Sequence, residues 1–122
     1  MQTALFERGL TSAHGVRRLV EEELEQDPVG EDALFQAQLL ATELVTNAVR
    51  HAHSPVELTV ARREVRIRIE ARDHSTTRPS LPDGDHATRH KGLLLVADLS
   101  EAWGVDVQDQ TGKVVWCEVL TA

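Results

Sequence analysis

The spacing of apolar residues changes several times along the chain, and each change marks an element. Val16, Leu19, Val20 and Leu24 stand three or four apart, the period of a helix with one buried stripe. Ser12 is the N-cap candidate, and the helix is expected to run to about Gln26 before Asp27, Pro28 and Gly30 break it. Leu34, Ala37, Ala41, Leu44, Val45 and Ala48 repeat the same period, which predicts a second helix from about Glu31 to Ala52. His53-Ser54-Pro55 ends it, because a residue before proline is driven out of the helical region. The period then falls to two. Val56 to Val60 and Val65 to Glu70 alternate apolar with polar and read as a hairpin, with Arg62 and Arg63 near its turn. Asp73 to His90 has neither period and reads as a long loop, a length more often functional than incidental. A third helix is expected from Gly92 to about Leu99. Two closing strands follow, Ala102 to Gln108 and Val114 to Leu120, around a turn at Asp109 to Gly112. A short extended stretch, Thr3 to Phe6, reads as an edge strand.

This order assembles into one α+β domain over residues 1–122. Hairpins make antiparallel pairs, so the sheet is expected to be mixed but mainly antiparallel. About three helices should cover one of its faces, giving a two-layer sandwich.

Composition narrows the function. The 122 residues are 41% hydrophobic, enough for one packed core, and no run of about 18 apolar residues could span a membrane. Twenty acids against thirteen bases give a formal net charge of −7. That argues against direct nucleic-acid binding, which needs a basic face, and suits a basic protein partner. With no tyrosine, two Phe and two Trp, there is no platform for stacking bases. A lone cysteine, Cys117, and no export signal point to a reducing cytoplasm.

Three places carry candidate chemistry. Glu43 and Asn47 lie one helical turn apart, on the flank of the apolar stripe of the second helix. A carboxylate and an amide oxygen there suit magnesium or its bound water, and the carboxylate could accept a proton from a hydroxyl. A solvated glutamate beside a paired asparagine has the same spacing. Asp73 ends a strand where the long loop begins; it could hold an exocyclic amine, or simply form a turn. Lys91-Gly92 opens the third helix, whose free N–H groups could meet a phosphate, as could those of any ordinary helix start. His51, His53, His74, His86 and His90 match no structural zinc spacing. The hairpin arginines read as a solvated outer face.

Taken in order, these segments resemble the GHKL family of ATP-binding domains, and within it the short anti-sigma-factor serine/threonine kinases of actinobacteria. Glu43-Leu44-Val45-Thr46-Asn47-Ala48-Val49-Arg50-His51-Ala52 looks like the N box. Asp73-His74-Ser75 with Pro79 looks like a reduced first glycine box. Gly92 to Val96 with Trp103-Gly104-Val105 looks like the second box and its strand, and Gly112 to Trp116 like the closing strand. The resemblance implies ATP and magnesium as cofactors. Asn47 would coordinate the metal, Glu43 would be the general base or would orient the attacking nucleophile, and Asp73 would bond the adenine amine. Gly92, Lys91 and His51 would fall in the nucleotide site, beside a lid from Asp83 to Lys91. The acceptor would be a serine of a partner such as a sigma factor or an anti-anti-sigma regulator, and a homodimer is implied as plausible.

The chain also departs from the pattern. His74, Ser75, Thr76 and Thr77 follow Asp73 where glycines are usual, and His90 stands where the first glycine of the second box would be. Val114 occupies the place of a threonine often found near the adenine. Two functions therefore stay open, a protein kinase and a partner-switching module of the same fold with an impaired nucleotide site. A metal-binding regulator built on the histidines is a third.

Overall fold

The computed structural model describes residues 1–6, 13–51, 55–73, 91–108 and 112–121. The described residues form five strands and three helices: β1 Gln2–Phe6, α1 Ala13–Leu24, α2 Glu31–His51, β2 Val56–Arg63, β3 Arg66–Asp73, α3 Lys91–Leu99, β4 Ala102–Gln108 and β5 Gly112–Leu120. The sheet order is β1-β2-β3-β5-β4, and every neighbouring pair is antiparallel. The expected parallel component is thus absent from the described strands. The chain leaves β3 at one edge of the growing sheet, crosses through α3 and makes β4. It then returns as β5 between β3 and β4, so β3 and β4 run the same way, a split crossover whose gap β5 fills with antiparallel pairs on both sides.

Both strands of the first hairpin run longer than their alternation suggested. β2 extends to Arg63 and β3 to Asp73, and the turn falls on Glu64 and Val65. Glu64 adopts a left-handed conformation, φ 55°, which closes the two-residue turn at some cost for a residue with a Cβ. Helix α1 stops at Leu24, two residues before its expected end; the proposed cap at Ser12 lies outside the described residues.

The core forms between the helices and one face of the sheet. Val16, Leu19, Val20 and Leu24 of α1 are all buried, as their spacing requires. α2 is the central helix. Leu40 and Leu44 are essentially inaccessible and lie with Ile67, Ile69 and Val115 in one apolar cluster. Each such leucine contributes about 1.5–3 kcal/mol by leaving water. Glu31 and Asp32 in the first turn of α2 complement its dipole. On β3 the burial alternates strictly from Arg66 to Asp73, with Ile67, Ile69, Ala71 and Asp73 on the helix-facing side.

Of the arginines expected on a solvated face, Arg63 is exposed, whereas Arg62 and Arg68 are half-buried and engaged. On the outer face of the sheet, Arg68 lies 4.3 Å over the Trp116 ring. Its Nε donates to Glu70 Oε2 at 2.7 Å, and it pairs with Glu118 at 3.4 Å. Arg62 ties β2 to the end of α1, pairing with Asp27, while its backbone N–H donates to Glu23 Oε2 at 2.8 Å. Burial makes these groups worth more than fully exposed ion pairs, although each alone is modest.

Candidate functional site

Helix α2 has two polar flanks on either side of its buried stripe, and hydrogen bonds identify what each one meets. On one flank, Gln38 Nε2 donates to Glu21 Oε1 at 3.1 Å, so that side faces α1. On the other, Gln36, Leu40, Glu43 and Asn47 follow each other at i, i+4, i+7 and i+11, forming one row along the helix. Gln36 Nε2 donates to the carbonyl of Leu99, so this row faces α3. The first turns of α2 are held to the last turn of α3, and the two helices pack against each other.

Asn47 is 8% exposed and Glu43 is half-buried, as expected for the flank of a packed helix rather than its solvent face. His51 closes α2, one turn beyond Asn47.

Asp73 is the last residue of β3 and is only 1% exposed. It lies on the helix-facing side of the sheet, in sequence with Ile69 and Ala71. It is thus a buried carboxylate rather than a surface turn former. Its register partner on β5 is Lys113, itself 4% exposed. Antiparallel partners on one face have Cβ atoms about 4.5–5.5 Å apart, so two opposite charges meet inside the protein. Burial pulls the Lys113 ammonium below its ordinary value, and the Asp73 carboxylate opposes that shift.

The same register corrects one expectation. Val114 pairs with Arg72 and shares the outer face with Arg68 and Trp116. The residue on the Asp73 side is Lys113, followed by Val115, Cys117 and Val119, all in the core cluster. Lys113 escaped the sequence reading because a strand lysine is normally solvated. The signal was present in the alternation, since residue 113 shares the parity of the three buried positions after it.

Asn47, Asp73 and Lys113 are the buried polar or charged residues of the described chain. A folded domain buries such groups only where something compensates them. Here they belong to the α3-facing flank of α2 and to adjoining ends of β3 and β5. Two surface hollows lie elsewhere. One is at the start of α2, lined by Gly30, Glu31, Gln36 and Leu99; the other is beside α1, lined by Arg18, Leu24, Val29 and Leu34. The chain beyond Asp73, including His74, His86, His90 and the expected lid, lies outside the described residues.

An antiparallel sheet covered on one face by three helices is a two-layer α+β sandwich. The chain belongs to the histidine kinase-like ATPase domain family, whose model matches residues 6–118. The family implies an ATP site. No curated protein matches the sequence. Among solved structures the chain is similar to the histidine kinase domain of the Erythrobacter litoralis EL346 blue-light activated histidine kinase. The identity is 18% and the TM-score 0.54, over 88% of this chain and 63% of that one. It is also similar to full-length ShkA in complex with AMPPNP, at 19% identity and TM-score 0.58, over 100% of this chain and 32% of that one. The chain thus spans less than two thirds of either protein, and at these identities the likeness is one of fold. Among the described residues, no helix is long and apolar enough to cross a membrane.

Proposed function

We propose that this chain binds ATP with magnesium and works as a regulatory protein serine/threonine kinase of the anti-sigma-factor type. The observation that carries this reading is the burial of Asn47 and Asp73, with Lys113 opposite the aspartate. These groups suit the ligand. A buried carboxylate is an acceptor for an exocyclic amine, and a buried amide oxygen is a hard donor for magnesium. The similarity to a protein described as a complex with AMPPNP supports the same reading.

Within it, Asp73 would hold the adenine amine and Asn47 the metal. The first turn of α3, from Lys91 and Gly92, would present N–H groups to the phosphates, and His51 would complete that set. When bound, magnesium-ATP supplies the phosphoryl group and neutralises the charge developing on it. Glu43, half-buried one turn before Asn47, would accept the proton of a partner's serine hydroxyl. The acidic chain, formal charge −7, suits a partner with a basic surface, such as a sigma factor or an anti-anti-sigma regulator, and homodimerisation belongs to the same proposal.

A second reading is a partner-switching module without turnover. It is favoured by the absence of glycine from His74 to Ser80, immediately after Asp73. Transfer of γ-labelled phosphate to purified sigma factors and anti-anti-sigma proteins separates the two. The kinase reading expects transfer that Glu43→Ala abolishes while nucleotide binding survives. Binding without transfer by the native chain would favour the module.

A further inference from the structure

Lys113 has no role in the proposed mechanism, yet it occupies an expensive position. A lysine normally keeps its ammonium in water, and enclosing one costs several kcal/mol unless charge and hydrogen bonds compensate it. Lys113 is 4% exposed and stands opposite Asp73 in the β3–β5 register, on the same face of the sheet. The carboxylate compensates its charge. An aspartate at 1% exposure and a lysine opposite it place an acceptor and a donor side by side on the helix-facing side of the sheet.

Resting on the nucleotide-site reading above, we propose that Lys113 is a specificity-determining residue for the base: it donates a hydrogen bond to ring nitrogen N1 of adenine while Asp73 accepts from the neighbouring amine. The carboxylate has two oxygens and several lone-pair directions, so it can hold the ammonium and the amine together. Adenine offers a donor at its amine and, adjacent to it, an acceptor at N1. Guanine offers these in the opposite order, with a carbonyl at the exocyclic position and N1–H beside it. An ammonium facing that N1–H would leave two donors opposed, which disfavours guanine. Lys113 thus lets the same two strand ends read two adjacent atoms rather than one.

The test is calorimetric titration of the full chain, with magnesium, by ADP and by 1-deaza-ADP, in which a C–H replaces N1. Native protein is expected to prefer ADP by about tenfold or more, as for loss of a hydrogen bond to a charged group. Lys113→Met should bring the ratio to about one. Lys113→Gln, which keeps a donor and can be used if the methionine variant does not fold, should give an intermediate ratio. Equal binding of the two ligands by native protein overturns the inference, and so does a preference that survives in Lys113→Met. In both cases nucleotide binding itself stands. If native protein binds neither ligand, the nucleotide-site reading fails and this inference falls with it.

Discussion

Cys117 and Lys113 sit four residues apart on the same face of β5, and burial acts on each according to which form is charged. For the thiol the charged form is the thiolate, so its pKa is pushed up to about 12, mainly by desolvation. For Lys113 the charged form is the ammonium, and the value goes down. The consequences for stability are opposite in sign. A thiol with a raised folded value protects the fold fully below its ordinary value of about 8.5. That protection fades as pH climbs from there toward about 12. A lysine with a lowered folded value burdens the fold at neutral pH. The burden lifts as pH rises through that lowered value toward the ordinary one of about 10.4. The thiol gives the cleaner experiment. Native protein at pH 8 should react with a thiol reagent only as fast as it opens, and denaturant should release the full reaction. Rapid labelling of native protein would show that Cys117 is not enclosed.

At the scale of elements, α2 does two things with two sides of one cylinder. Its stripe packs on the sheet, and its α3-facing flank carries Glu43 and Asn47. Leu44→Ala should cost about 2–5 kcal/mol, as truncations in a packed core do. Asn47→Ala removes a group from the flank and should cost far less, about 1–2 kcal/mol, while abolishing the magnesium dependence of nucleotide binding. Thermal melts of the two variants compare these directly, and equal losses would mean that the flank is structural. The outer face of the sheet makes its own demand. A Cβ added at Gly104 would lie 2.8 Å from Trp116 Cζ2, a ring that Arg68 covers from the strand beyond. Gly104→Ala should therefore destabilise by about 1–3 kcal/mol and shift the tryptophan near-ultraviolet signal. An unchanged melt and spectrum would show that the ring has room to move.

Across the whole molecule, what the sequence disclosed follows how strongly each feature depends on local periodicity. Both long helices, the two hairpins and the edge strand were legible, because apolar residues at period 3.6 or 2 must face a core. Asn47 was legible as a flank residue for the same reason. The buried state of Asp73 was not, since an aspartate at a strand end looks the same whether it makes a turn or enters the interior. The pairing of β3 with β5, residues far apart in the chain, helps to enclose it. That pairing also brings Lys113 to the Asp73 side and sends Val114 to the other face, a one-residue distinction of register that composition does not carry. The engaged arginines were missed on similar grounds, because their partners Glu118, Trp116 and Asp27 come from other elements.

The central claim is that these buried polar groups form a nucleotide site. Its most direct test is titration of the chain with AMPPNP, in the presence and absence of magnesium, followed by heat. The account expects saturable binding that weakens without magnesium and is lost in Asp73→Ala. An absence of heat from folded native protein at millimolar nucleotide would contradict it.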